Sequence, residues 1–308
     1  MGAMRTILLW MARNPWLKDR IPRLGFVRRA VRRFMPGESP DVAFDAAEAF
    51  GREGIGTLFT RLGENLTDRR QADEVAGHYL GVLDVVETRG IDGEISVKPT
   101  QLGMDLDPEL TFEHCVRLAT RAEEVGGELW LDMEGSDYVE ATVRLYERLK
   151  RNHPNVGICL QAYLHRTADD VQRLLPLSPS IRLVKGAYDE PASIAYRGRR
   201  AVDANYLALA VTLLEASRSG RVRLGLGTHD VRLIEQVAEH ARALGLPRTT
   251  FEIQMLYGIR LDQQRRLASE GYVVRDLIAY GTAWYPWYMR RLAERPANVL
   301  FALRQLLP

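Results

Sequence analysis

Val156-Gly-Ile-Cys-Leu-Gln161, a helical pattern near 168–175, and then Ile181-Arg-Leu-Val-Lys185 form the stretch on which the fold turns. Each flank is a short, mostly apolar run that ends on a polar residue. Between longer helix-periodic segments, runs of this length read as strands buried on both faces. The unit recurs along the chain. Gly56–Arg61, Glu94–Lys98, Glu128–Met133, Arg223–Thr228, Thr250–Met255 and Val273–Ala279 complete a set of eight strand candidates. Helical stretches near 69–88, 108–126, 137–151, 198–218, 230–246 and 261–270 lie between them. Such alternation implies parallel pairing through crossover helices, so the expected fold is α/β, a closed (βα)8 TIM-type barrel.

The 308 residues, 46% apolar and 27% charged, are enough for a full core, and no glycine- or proline-rich linker divides them after residue 50. Two units are expected: an N-terminal basic helical arm over residues 1–50 and a catalytic barrel over 51–308. The arm carries Trp10, Trp16 and Phe26 among Arg13, Lys18, Arg20, Arg23, Arg28, Arg29, Arg32 and Arg33. A segment of this kind can pack on the barrel or on a second subunit of a homo-oligomer, or lie on an anionic membrane surface. No nucleic-acid-binding motif accompanies its charges, and the formal net charge of the whole chain is only +2. The apolar run Ile7–Met11 is too short to span a bilayer and has no cleavage site behind it, so a cytoplasmic chain is expected. Cys115 and Cys159 make neither a disulfide framework nor a metal-binding spacing, and the six histidines include no pair at metal-ligand helical spacing. No metal is expected.

Barrels of this class work at the carboxyl ends of their strands. Here those ends read Arg61-Leu-Gly-Glu64, Ser96-Val-Lys98, Asp132-Met-Glu134, Gln161-Ala-Tyr163, Lys185-Gly-Ala-Tyr188, Gly227-Thr-His-Asp230 and Gln254-Met-Leu-Tyr257. Stability needs no such polar ring, because barrel interiors favour branched apolar residues; a site at this face is the better reading. Arg182 opens the apolar run Leu183-Val184, an expensive position for an unpaired charge. After the last strand comes Tyr280-Gly-Thr-Ala-Trp-Tyr-Pro-Trp-Tyr-Met-Arg-Arg-Leu-Ala-Glu-Arg-Pro-Ala-Asn298, read as a helix capped by Thr282 with Pro286 in its first turn. Adjacent Arg290 and Arg291 on that helix are either a solvated face or two planar forks for one carboxylate. No Gly-x-Gly-x-x-Gly follows the first strand, which argues against a Rossmann cofactor domain.

The final helix, with Arg290-Arg291, Glu294 and Arg295-Pro-Ala-Asn298, resembles the substrate helix of the flavin-dependent proline dehydrogenases. Ile95-Ser-Val-Lys-Pro-Thr-Gln-Leu-Gly103, Leu131-Asp-Met-Glu134, Arg182-Leu-Val-Lys-Gly-Ala-Tyr188, Gly227-Thr-His229 and Phe251-Glu-Ile-Gln254 match the same family in the expected order. The resemblance runs from about Arg61 to Asn298.

It implies an FAD-dependent oxidation of L-proline to Δ1-pyrroline-5-carboxylate, with hydride passing to flavin N5 and electrons going on to a quinone. By the same resemblance Asp132 and Arg182 are catalytic, with Arg182 also near flavin N5. Lys98, Arg290, Arg291, Leu277, Trp287 and Glu64 surround substrate, Glu64 by pairing with Arg290. Met133, Gln161, Lys185, Gly186, Ala187, Thr228 and His229 contact the cofactor. The quinone gives the basic arm a membrane purpose, peripheral on the inner membrane.

The eighth strand and the final helix depart from the family pattern. Where the eighth strand usually reads Arg-x-Tyr-x-Pro-Tyr-Gly, this chain has Arg275-Asp-Leu277-Ile-Ala279-Tyr280-Gly281, and Trp287 stands where a tyrosine is common. Leucine removes an aromatic plane and tryptophan adds bulk, so the pocket is reshaped. Proline remains the first choice of substrate. Hydroxyproline, another cyclic amino acid or an N-alkyl amino acid is the alternative, and a non-catalytic barrel of the same fold is the third reading.

Overall fold

The computed structural model describes residues 7–8, 10–11, 14–63 and 66–294, though not every side chain within them. Eight strands, β1 (Gly56–Arg61), β2 (Gly93–Val97), β3 (Leu129–Leu131), β4 (Val156–Gln161), β5 (Ser180–Val184), β6 (Arg223–Gly227), β7 (Phe251–Leu256) and β8 (Val273–Tyr280), close a barrel in sequence order. Every neighbouring pair is parallel, β8 returning to β1 with Leu58 opposite Leu277. The expected (βα)8 fold is the one observed.

Ahead of the barrel the described residues include α1 (Pro15–Arg20), α2 (Gly25–Val31) and α3 (Pro40–Gly51). The crossovers are α4 (Arg69–Arg89), α5 (Pro108–Glu124), α6 (Val139–Lys150), α7 (Thr167–Leu174), α8 (Arg199–Ser217), α9 (Val231–Ala243) and α10 (Leu261–Ser269); α11 (Trp284–Glu294) follows β8. Local chemistry sets their ends. Asp107 accepts hydrogen bonds from the amides of Glu109 and Leu110 ahead of α5, with Pro108 at its first position, and Gly90 closes α4 in a left-handed conformation. α11 begins at Trp284, so Ala283 rather than Thr282 precedes its first residue.

β3 is shorter than its apolar run suggests. The chain turns after Asp132, and the carbonyls of Met133 and Glu134 are taken by the Gln161 side chain instead of a strand ladder.

The main core lies between the outward faces of the strands and the helices, where Phe59, Tyr79, Ile95, Leu131, Tyr146, Ile158, Leu183, Tyr206 and Ile253 are fully buried. Inside the barrel, large side chains are seated opposite glycines. A methyl group on Gly157 would come within 2.5 Å of the Trp130 ring, and one on Gly225 within 2.8 Å of Gln254.

A second cluster joins the N-terminal segment to the mouth. Leu8, Val31, Phe34 and Met35 pack with Leu62, Ala279, Trp284, Tyr285, Trp287, Tyr288 and Met289. Trp284 Nε1 donates to Glu38 at 2.9 Å and the Tyr285 hydroxyl to the Met11 carbonyl at 3.3 Å. This part of the segment packs on its own barrel. Among the described residues no helix is long and apolar enough to cross a membrane.

Candidate active site

Side chains alternate across each strand, so residues two apart share the barrel interior. On β2 this face carries Glu94 and Ser96 and continues into Lys98; on β3 it carries Trp130 and continues into Asp132. Arg182 on β5 and Gln254 on β7 point the same way. Four strands therefore meet in one hydrogen-bonded group. Asp132 Oδ1 accepts from Ser96 Oγ at 2.8 Å and from Arg182 Nη1 at 2.8 Å, while Lys98 Nζ lies 3.8 Å from Oδ2. Arg182 Nη1 also donates to Ser96 Oγ at 2.9 Å, and its Nε donates to Gln254 Oε1 at 2.7 Å. The guanidinium sits 4.8 Å from the centroid of the Trp130 ring, a cation–π stack.

Burial is graded. Ser96, Trp130, Arg182 and Gln254 are buried, whereas Lys98, Asp132, Val184, Gly227 and Leu277 above them are partly exposed. Toward the carboxyl ends of the strands the interior side chains thus become partly exposed. Two cations there, Lys98 and Arg182, share one carboxylate. Arg182 Nη2 is buried without a hydrogen-bond partner among the described residues.

The rest of the rim is shaped by side chains that tie one strand end to the next. Thr100 donates through its amide (3.2 Å) and hydroxyl (2.8 Å) to buried Glu134. Gln161 spends its amide hydrogens on the carbonyls of Met133 and Glu134, at 3.2 and 3.1 Å, and its Oε1 has no described partner. Gly186 has φ +108°, and a Cβ there would lie 2.1 Å from the Tyr163 ring. Only glycine fits this turn.

Lys185 follows β5, but its ammonium turns to the helices. It donates to Asp203 and, at 3.1 Å, to Asp230, which also accepts from Arg199 at 2.7 Å. Burial pushes the Asp230 carboxyl up, but the bonds from Lys185 and Arg199 outweigh it and hold the pKa at about 2. Thr228 is buried, its hydroxyl accepting from the Asp230 amide at 3.2 Å, and His229 is half-buried. Ala187 continues the half-buried turn after Gly186.

Leu277 shares the interior face of β8 with Arg275 and Ala279, and Trp287 is buried in the aromatic cluster beside Ala279. Arg290 and Arg291 lie on α11. Their side chains, that of Glu294 and the whole of Glu64 fall outside the described residues.

Ser96, Trp130 and Gln254 hold Arg182 and Asp132 in place, yet none was singled out from the sequence. The available signal was the two-residue period, which puts each one step below a strand-end residue. Among the described residues no group of His, Cys, Asp and Glu could hold a metal ion.

Two cations around one carboxylate stand at the carboxyl end of a closed parallel (βα)8 barrel, the face at which enzymes of this class carry their sites. Comparison with known proteins narrows this. The proline dehydrogenase family model matches residues 43–304. Proline dehydrogenase 1 of Bacillus subtilis subsp. natto is 34% identical over 308 residues, 99% of both chains. Proline dehydrogenase of Deinococcus radiodurans is 37% identical over 280 residues, 89% of both. Among solved structures, proline utilization A from Bdellovibrio bacteriovorus, inactivated by N-propargylglycine, superposes with TM-score 0.80 at 22% identity over 94% of this chain. Its counterpart from Corynebacterium freiburgense gives 0.74 at 22% over 99%. This chain spans 38% and 34% of those two longer proteins, and at that identity they speak for the fold. The chain belongs to the proline dehydrogenase family and is an enzyme of that family.

Proposed function

We propose that the protein oxidises L-proline to Δ1-pyrroline-5-carboxylate with FAD held across the barrel mouth. The observation that carries this reading is the pair of cations, Lys98 and Arg182, around the single carboxylate of Asp132 at the carboxyl end of the barrel. The residues present fit a flavin. Arg182 Nη2 and Gln161 Oε1 are a buried donor and a buried acceptor without described partners. When bound, FAD supplies the hydride acceptor at N5 and passes the electrons on to a quinone.

Arg182 would present its unused nitrogen to the electron-rich end of the isoalloxazine, with Asp132 and Ser96 holding the guanidinium still. Met133, Gln161, the Lys185-Gly186-Ala187 turn, Thr228 and His229 line the ring and its tail. The Lys185 contribution is made by its backbone, since its ammonium is paired with Asp203 and Asp230. Lys98, Arg290 and Arg291 grip the substrate carboxylate and thereby orient the ring carbon that gives up hydride. Glu64 restrains Arg290. Leu277 and Trp287 form the apolar walls, a shape that also admits a hydroxylated or N-methylated ring.

Anaerobic titration of the purified protein with L-proline, hydroxyproline and N-methyl amino acids, read as bleaching of the flavin bands, tests the reading. Bleaching by proline at the lowest concentration is expected. A colourless protein that takes up no added FAD, or one bleached by none of these compounds, would sink it.

The protein is placed in the cytoplasm, with the basic arm against the inner membrane surface that supplies quinone. Ile7, Trp10, Trp16 and Leu24 are between 43% and 60% exposed, and Arg20, Arg29 and Arg32 are exposed around them. Large apolar side chains among cations on one segment complement an anionic bilayer.

A further inference from the structure

The polar group at the mouth does not stop at Arg182. It continues down the barrel axis to the opposite end. Gln254 accepts from Arg182 Nε through Oε1 and donates through Nε2 to Glu252 Oε2 at 3.2 Å. Glu252 in turn accepts from Arg223 at 2.6 Å, with Arg275 Nε 3.5 Å from its other oxygen. Arg223 also bonds Glu94 at 2.8 Å and Glu128 at 2.9 Å, beside a cavity of about 420 Å³ at the amino ends of the strands.

A carboxylate is acceptor-only, so Glu252 decides which way the Gln254 amide turns. Its NH₂ must face Glu252, and the carbonyl must then face Arg182. The reverse orientation would set NH₂ against the guanidinium N–H and carbonyl against carboxylate. Gly225, opposite on β6, leaves the space the amide occupies.

We propose that Gln254 is a positioning residue for Arg182, oriented for that task by Glu252; the proposal rests on the flavin-facing role given to Arg182 above. Nη1 is held by Asp132 and Ser96, Nε by Gln254, and the ring of Trp130 covers one face. With these four groups fixing the plane, rotation about the Cδ–Nε bond is blocked. The remaining nitrogen, Nη2, keeps one direction. Without Gln254 the Nε–H loses its acceptor in a site closed to water, and the guanidinium gains a reason to turn.

The test is a double-mutant cycle on the flavin-loaded enzyme. Gln254→Met keeps the length of the side chain and removes the acceptor. It should leave FAD content and thermal melting near wild type, lower kcat for proline by roughly 10-fold with KM within threefold, and shift the flavin visible band and reduction potential. Arg182→Lys has no Nε–H, so Gln254→Met added to it should change kcat and potential by less than twofold. Equal effects in both backgrounds, or a loss of activity that tracks lost melting temperature with an unmoved band and potential, would overturn the role of Gln254. If the wild-type protein takes up FAD but proline does not bleach it, the proposed function falls first and this role falls with it.

Discussion

Arg182 and Asp132 are joined at 2.8 Å across the barrel interior, with the arginine buried and the aspartate partly exposed. The cation depends on that one carboxylate, since its other partners are neutral. Asp132→Ala should therefore leave a buried charge uncompensated and lower unfolding free energy by about 3–5 kcal/mol. Asp132→Asn keeps an oxygen for Ser96 and Arg182 but removes the charge, and should cost nearly as much. Urea unfolding of the two variants measures the difference, and an Asn variant close to wild type would mean that the charge itself contributes little.

Gly186 sits against Tyr163 with no room for a methyl group, in a backbone conformation that side chains avoid. Gly186→Ala should destabilise the protein by about 2–4 kcal/mol, from strain and overpacking together. If this turn cradles the flavin, the purified variant should also lose most of its yellow colour. Apoprotein reconstitution with FAD, followed by absorbance, separates the two effects: a variant that melts early but binds FAD normally would show that the turn is structural only.

Asp276 is wholly buried on the outer face of β8, with Gln264 as its polar neighbour and neither oxygen within hydrogen-bonding geometry of a partner among the described residues. Burial pushes its carboxyl up to about 8. The folded protein thus keeps a proton that the unfolded chain releases near its ordinary value of 3.8. Its contribution to stability is fully present below that value and is lost progressively as pH rises to about 8. Asp276→Asn should flatten this decline and raise the melting temperature at pH 8, by roughly 2–4 °C for each kcal/mol regained. Melting curves at half-unit pH steps check it; parallel curves for both proteins would assign the slope elsewhere.

The barrel was legible because its evidence is local. β1 and β4 keep the limits read from their apolar runs, since Arg61 and Gln161 end them by being polar. Lys98 and Asp132 could be read from strand ends, whereas Arg182, in the middle of β5, joined them through the family resemblance. What the sequence hides is partnership at long separation. Gln254 and Arg182 are 72 residues apart, and nothing in Phe251-Glu-Ile-Gln254 announces an arginine. Lys185 shows the converse. Its place after β5 points to the mouth, but Asp203 on α8 and Asp230 ahead of α9 draw its ammonium to the helices. The arm was ambiguous for a related reason: aromatics among arginines suit a protein surface or a bilayer equally, and only the seat offered by Trp284, Tyr285 and Tyr288 decides where Phe34 and Met35 go.

That seat covers only part of the arm. Trp10 and Trp16 remain about 60% exposed, with the Arg20 guanidinium 4.6 Å from the Trp16 ring centroid. If an anionic bilayer is their partner, the protein should sediment with vesicles containing acidic phospholipid and far less with neutral ones, because each cation near the headgroups adds about 1 kcal/mol. Trp10→Glu combined with Trp16→Glu should reduce vesicle binding at least ~10-fold, by removing inserted apolar area and adding repulsion. Proline-driven reduction of a water-soluble acceptor should stay unchanged, since neither tryptophan belongs to the site at the barrel mouth. Reduction of a quinone held in the vesicles should fall in step with binding. Undiminished quinone reduction by the double variant would separate the exposed tryptophans from electron delivery and leave them to another partner.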